Sequence, residues 1–297
     1  EKITLNYWGL WESEEIIKPI IAKYQEDNPN ITINYVQQSF KDYRERLQSA
    51  LARDEGPDIF RFHNTWLAML KKELASAPSA IAKDINLKEN YYPVVSEDLK
   101  VGSQVFGVPL GFDALALFYN AKILKEAGKT YPATWDEFRR TAMDLCVADS
   151  ADKSCKPGAR IVTAGAALGT TSNVDHFSDI LGLMILQNGV DLTKPRGDLA
   201  EDALKYYTLF TTDDHIWDES LPSSIYAFAT EKVAMIFAPS WRAHEISQIN
   251  PQLEFKTTPV PQLPGTQIGW ATYWAEGVSS KSKNIQAAWE FLTYLSS

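Results

Sequence analysis

The chain has 297 residues, 45% of them hydrophobic and 23% charged, with a formal net charge of -9. That length suits two domains better than one hydrophobic core, and the acidic balance argues against nucleic acid, whose phosphates demand a basic face. No apolar run approaches a membrane span, and the chain starts at strand-like sequence with no signal-type segment ahead of it, so any export signal is expected to have been removed or never present.

Ile3, Leu5 and Tyr7 alternate as a strand does. Trp8 to Ser13 follows, then Ile16, Ile17, Ile20, Ile21 and Tyr24 at helical spacing. Pro19 predicts a helix that starts near Ile17 or is kinked. Ile31, Ile33 and Tyr35 alternate again, completing a βαβ unit with parallel strands. A second unit follows: an amphipathic helix over Phe40 to Arg53, a turn at Gly56-Pro57, a strand over Asp58 to Phe62, and a helical stretch from Trp66 to Leu74. In open parallel sheets, ligands bind outside the carboxyl ends of the strands. Two segments hold that place, Trp8 to Ser13 and Phe62 to Trp66. Trp11 stands beside Glu12, and Trp66 beside Asn64 and Thr65. Lone tryptophans usually pack in cores, but this polar company points to a site.

Residues 76 to 100 show no clear element. Val101 to Leu110 reads as a hairpin turning at Gly102-Ser103. It leads into GVPLGFDALALFYN, where Pro109 and Gly111 sit between two strand-like runs. Proline cannot donate to a sheet ladder, so the chain is expected to leave one lobe here and enter another, with Asp113 at the crossing. A helix over Lys122 to Gly128 opens the second lobe, and Thr134 with Glu137 makes a capping box for the next. A strand near Ile161 leads into GAALGTTSN, which lacks the Gly-Lys-Ser/Thr end of a phosphate loop. A helix carrying Phe177, Leu181, Met184 and Ile185 follows, and two more are expected over Asp198 to Phe210 and Ser224 to Ala229. Val233 to Phe237 reads as a buried strand that ends at Ser240-Trp241-Arg242. TTPVPQLPG, residues 257–265, reads as a second crossing. Trp270 to Val278 reads as an aromatic-rich strand that sends Trp270 and Trp274 to one face and Tyr273 to the other. Lobe packing is the alternative for these three. A helix over Ile285 to Leu292 ends the chain.

Cys146 and Cys155 flank a polar loop and read as a disulfide formed in an oxidising compartment, or else as two unrelated thiols. Their spacing is not C-x-x-C and no histidine lies near, so a metal site is not favoured. His63, His176, His215 and His244 are scattered. No motif of a zinc protease, serine hydrolase or dinucleotide enzyme occurs. Glu12 and Asp113 are the candidates for a two-carboxylate glycosidase, but nothing in their spacing favours one. Arg61 and Arg242 are the only cations near the candidate segments, too few for an anionic ligand. The aromatics suit a neutral ligand with apolar faces and hydroxyl edges, such as a pyranose.

The order of WGLWES after a first strand, GPDIF followed by His63-Asn64, GVPLGFDALALFYN, TWDEF, KVAMIFAPSW and AAWEFLTYL resembles the extracellular solute-binding family 1, the sugar-binding components of ABC importers. The resemblance implies a two-lobed periplasmic-binding-protein-like fold (type II). Each α/β lobe would hold a mainly parallel sheet flanked by helices. Residues 1–112 and 262–297 would form the first lobe and residues 113–261 the second, joined by crossing strands at a hinge. It implies a sugar ligand held between the lobes, a permease partner, a monomer without cofactor or catalytic activity, and a place in the periplasm or at the extracellular face of the membrane. A binding protein for another solute is the alternative. Family chains usually continue past the last helix seen here with further helices of the second lobe, so a truncated or smaller second lobe is expected. The family pattern points to Glu12, His63, Asn64, Asp113 and Trp241 as ligand contacts, and then to Trp11 and Trp66. Trp8, Arg242, Tyr273 and Trp274 are further candidates. Trp241 takes the stacking role and Asp113 accepts ligand hydroxyls.

Overall fold

The computed structural model describes residues 2–297. The chain divides into two compact units, one built from residues up to Phe112 with Tyr273–Ser297, the other from Asp113–Thr272. In chain order the strands are β1 (Ile3–Gly9), β2 (Ile31–Gln37), β3 (Ile59–His63), β4 (Leu74–Ala75), β5 (Lys100–Val101), β6 (Gln104–Val105), β7 (Val108–Pro109), β8 (Leu115–Asn120), β9 (Val147–Asp149), β10 (Arg160–Ala166), β11 (Val233–Pro239), β12 (Phe255–Thr258) and β13 (Trp274–Ser279).

The first unit is a sheet in the order β2-β1-β3-β13-β4, with β7 also paired to β13. β1 runs parallel to β2 and to β3, as the βαβ pattern predicts. β13 runs antiparallel to its neighbours. Leu5 and Tyr7 face the core while Thr4 and Asn6 face water, the division that a period of two imposes. The helix Glu14–Asp27 starts at Glu14, three residues ahead of the expected start, and carries Pro19 within it. It buries Ile17, Ile21 and Tyr24. Its Tyr24 ring meets Phe291 of the last helix, Ile285–Leu295, at 5.0 Å. Such buried aromatics each contribute about 1.5–3 kcal/mol. The expected helix from Trp66 to Leu74 is instead a short turn of 3-10 helix, Asn64–Trp66, a helix over Leu67–Leu70 and then β4. Residues 76 to 100, read as featureless, hold three short helices, Ser79–Ile85, Leu87–Asn90 and Pro93–Leu99.

The second unit is a sheet in the order β12-β8-β11-β10-β9. β11 is its centre, and every one of its residues is buried. The sheet is not mainly parallel. β10 and β11 alone are parallel, whereas β8 runs antiparallel to both β11 and β12, and β9 to β10. The loop between β9 and β10 is too short for the crossover that a parallel pair needs. The helix Trp135–Leu145 begins with the expected capping box, Thr134 and Glu137 each satisfying the other's backbone. Cys146 and Cys155 form a disulfide with their Cα atoms 6.0 Å apart.

Residues 262–272, which the sequence reading gives to the first lobe, belong to the second unit. The proline-rich stretch is therefore not a crossing. Gln187 Nε2 donates to the carbonyls of Pro261 and Ile268, and the Gln262 N–H donates to the carbonyl of Ala133. The chain passes back at Thr272-Tyr273, and Ala114 and Ala271 form a bridge next to the two passages.

Candidate functional site

In the first unit, the carboxyl ends of the parallel neighbours β1 and β3 carry the two expected segments. Gly9, the last residue of β1, leaves room for the Tyr35 side chain: a Cβ on Gly9 would lie 2.3 Å from the Tyr35 hydroxyl. That hydroxyl donates to the carbonyl of Glu12 at 2.6 Å, and Gln37 Nε2 donates to the carbonyl of Leu10 at 3.1 Å. Burial pushes the Tyr35 phenol up to about 12, with help from Glu12, so it remains a donor across ordinary pH. The loop 10–13 is thereby fixed. It leaves Trp11 49% exposed.

Next to the loop lies an ion-pair network that the sequence does not announce. Arg61 on β3 is buried. Its Nε donates to Glu276 Oε1 at 2.5 Å and its Nη1 to Glu12 Oε2 at 2.6 Å. Cross-strand pairing sets the first contact, since Glu276 of β13 lies opposite Arg61. Burial works against the guanidinium, but Glu276, Tyr7 and Glu12 together hold its charge more firmly than usual. Arg61 is therefore committed to its own unit's carboxylates, and Glu12 is held by it.

Trp274 is the hub of the aromatic side of this unit. Its ring meets Trp66 at 5.1 Å, His63 at 5.2 Å, Trp11 at 5.9 Å and Phe40 at 6.1 Å, all edge to face. Trp11 and Phe40 pack together at 5.2 Å. Edge-to-face geometry suits the ring quadrupoles. His63 shares Nδ1 with the Thr65 hydroxyl at 2.8 Å. Trp8 is half-buried in β1. Phe40, 59% exposed, joins this surface although sequence reasoning placed it in a helix that begins only at Tyr43. Its exposure next to a tryptophan-rich loop has no periodic signal.

Two expected contacts are not on that surface. Asn64 and Tyr273 are buried, and both donate to Asp98 Oδ2 at 2.9 Å. Desolvation, reinforced by Asp98, raises the Tyr273 phenol well above its ordinary range. Their polar groups are occupied in tying the turn Asn64–Trp66 and the residue before β13 to the helix Pro93–Leu99. Tyr273 and Trp274 part company as strand alternation predicts, but it is Tyr273 that is buried in the core.

In the second unit, β11 ends at Pro239 and delivers Ser240, Trp241 and Arg242. Asp113 lies beside them and is fully engaged. Its Oδ1 accepts from the N–H groups of Ala114 and Ser240 at 2.7 and 3.0 Å. Its Oδ2 accepts from the Ser240 hydroxyl and the Trp241 N–H at 3.0 and 3.3 Å. Asp113 thus holds the turn that presents Trp241, 52% exposed. The Arg242 guanidinium lies over that indole at 4.2 Å. Trp270, expected on the same strand face as Trp274, lies in the second unit and donates Nε1–H to Asp179 at 3.0 Å. Gly182 makes the room: a Cβ there would lie 2.5 Å from the Trp270 ring.

The first unit thus presents an aromatic cluster edged with polar groups, and the second presents the exposed indole of Trp241. This defines a two-unit α/β protein equipped for solute recognition. The chain belongs to the bacterial extracellular solute-binding protein family, whose model matches residues 11–297. It is 24% identical to the multiple sugar-binding protein of Streptococcus mutans, over 99% of this chain and 71% of that one. Among solved structures, an ABC substrate-binding protein of Listeria monocytogenes in complex with cycloalternan is similar across 100% of this chain and 76% of its own, with a TM-score of 0.74 at 18% identity. The sugar-binding protein MalE of Xanthomonas citri is similar over 99% of this chain and 75% of its own, with a TM-score of 0.74 at 21% identity. The fold is that of the type II binding proteins. No helix among the described residues is long and apolar enough to cross a membrane.

Proposed function

We propose that this protein is the extracytoplasmic substrate-binding component of an ABC importer, and that it binds a neutral sugar or oligosaccharide and delivers it to a permease. The observation that carries this reading is the pair of aromatic surfaces, Trp11, Phe40, Trp66 and Trp274 on one unit and Trp241 on the other. Ring faces pack on the C–H faces of pyranoses while nearby polar groups fix the hydroxyls. A neutral ligand is favoured because Arg61 and Arg242 are each engaged by carboxylates of their own unit. The relatives point the same way, since they include sugar-binding proteins and structures with bound oligosaccharides. The protein acts as a monomer, without cofactor or catalysis, outside the cytoplasmic membrane, and its lobes close on the ligand by a hinge motion.

A thermal-shift screen with tagatose, mannobiose, mannotriose, maltotetraose and acarbose tests the reading, because a ligand that binds only the folded state raises Tm. Calorimetry on each hit supplies the affinity. Scattering of the saturated protein should give a smaller radius than that of the free protein. A panel without a hit, extended to amino acids and phosphorylated sugars with a positive result there, would move the assignment to another solute class.

A further inference from the structure

We propose that His176 is a positioning residue for Trp241 and acts through Arg242. Arg242 Nε–H donates to His176 Nε2 at 3.1 Å. That bond requires a lone pair on Nε2, which puts the ring proton on Nδ1. Nδ1 lies 3.3 Å from Asp179 Oδ2, an acceptor for that proton. The other oxygen of Asp179 accepts from Trp270 at 3.0 Å. Beyond His176, Arg242 Nη1 donates to Glu245 at 2.5 Å and its guanidinium covers the Trp241 ring. His176 also meets that ring edge-on at 5.9 Å. A continuous path therefore runs from half-buried Trp270 through Asp179, His176 and Arg242 to an exposed indole.

Several features single out His176. The side chains of His176, Asp179 and Arg242 are only 15%, 18% and 20% exposed, whereas Trp241 is 52% exposed. Among the described residues, the ring and the cation found against the Trp241 indole are those of His176 and Arg242. His176 adopts a left-handed backbone, φ 63°, which is uncommon for a residue with a Cβ and is found where surrounding structure holds it.

The arrangement works in one protonation state only. A proton on Nε2 would set an N–H and a positive charge against the Arg242 N–H. The charged groups around the ring are Arg242, Asp179 and, bonded to Arg242, Glu245. Asp175, next to it in the chain, is bonded to Ser224 and the Ile225 N–H. Acidification that protonates the ring should release Arg242 from the indole.

The test needs no sugar. In 15N-tryptophan-labelled protein, the indole signal of Trp241 is assigned by its loss in Trp241→Phe. It should shift and broaden in His176→Ala and return in His176→Gln, whose amide oxygen can accept from Arg242. Acidification should move the signal in the parent protein and leave it in place in His176→Gln. An indole signal that is the same in folded His176→Ala as in the parent overturns the proposal. Should His176→Ala not fold, the acid titration of the parent against His176→Gln decides alone. A second arm rests on the sugar-binding reading: His176→Ala should bind mannotriose or maltotetraose about threefold to fivefold more weakly, the scale of an exposed cation–π contact. If the parent binds neither sugar, that reading suffers and the indole result still stands or falls by itself.

Discussion

The carboxylate of Asp113 spans the N–H groups of Ser240 and Trp241, 127 and 128 residues away in the chain, and so ties the entrance of the second unit to the end of its central strand. This relationship changes what its substitution should do. An acceptor aimed at ligand hydroxyls would alter sugar preference when changed to an amide. An acceptor occupied by its own backbone should weaken all ligands alike. Asp113→Asn puts an N–H₂ where donors already point, and about 1–3 kcal/mol follows from the unsatisfied groups. Calorimetry with two different sugars checks it, and equal losses are expected.

Trp241→Ala should cost about 2 kcal/mol or more in sugar affinity, as hot-spot aromatics do. Trp11→Ala should behave similarly. Both indoles are about half exposed, so stability should change by about 0.5 kcal/mol or less. Affinity and Tm measured on the same preparations separate the two effects.

The disulfide closes the loop between the helix Trp135–Leu145 and β10. Native protein should show no titratable thiol. Cys146→Ser with Cys155→Ser should cost about 2–3 kcal/mol, the scale of a short closed loop, with sugar affinity unchanged. Thiol titration and denaturant melts report the two parts.

Glu276 gives a pH dependence of definite sign. Burial raises its pKa above the ordinary 4.5, against the opposing pull of Arg61. Between the ordinary value and the raised one, the folded state therefore binds more protons at this carboxyl than the unfolded state does. The contribution is fully present below about 4.5 and fades as pH rises through the raised value. Glu276→Gln should remove this component. The stability of the parent minus that of the variant, followed by denaturant melts upward from pH 4.5, should fall as pH rises.

Much of this molecule is legible in its sequence. Strand alternation in Ile3 to Tyr7 and Ile31 to Tyr35, the capping box at Thr134 and the tryptophans after strand ends all carry local signals. The misses have physical causes. The helices between Ser79 and Leu99 are each too short to display a period. Trp270 follows alternation with Trp274 on paper, yet Gly182, far away in the chain, opens a slot that captures it. Asn64 looks like a ligand contact until Asp98 is placed beside it. Phe40 and His176 draw their surroundings from distant residues, which no local pattern reports.

The position of β13 governs the order in which the chain can be completed. It is made near the end of the sequence, yet it lies between β3 and β4 and also pairs with β7. The second unit, by contrast, is one uninterrupted segment, Asp113–Thr272. Domains fold as units as they emerge during synthesis, so the later-made half can mature first. A chain whose synthesis has not reached residue 279 lacks the strand that pairs with β3 and β4 in the finished sheet. For that interval the nascent chain exposes the kind of open strand edge that recruits wrong partners. Anything that delays the last strand prolongs the exposure.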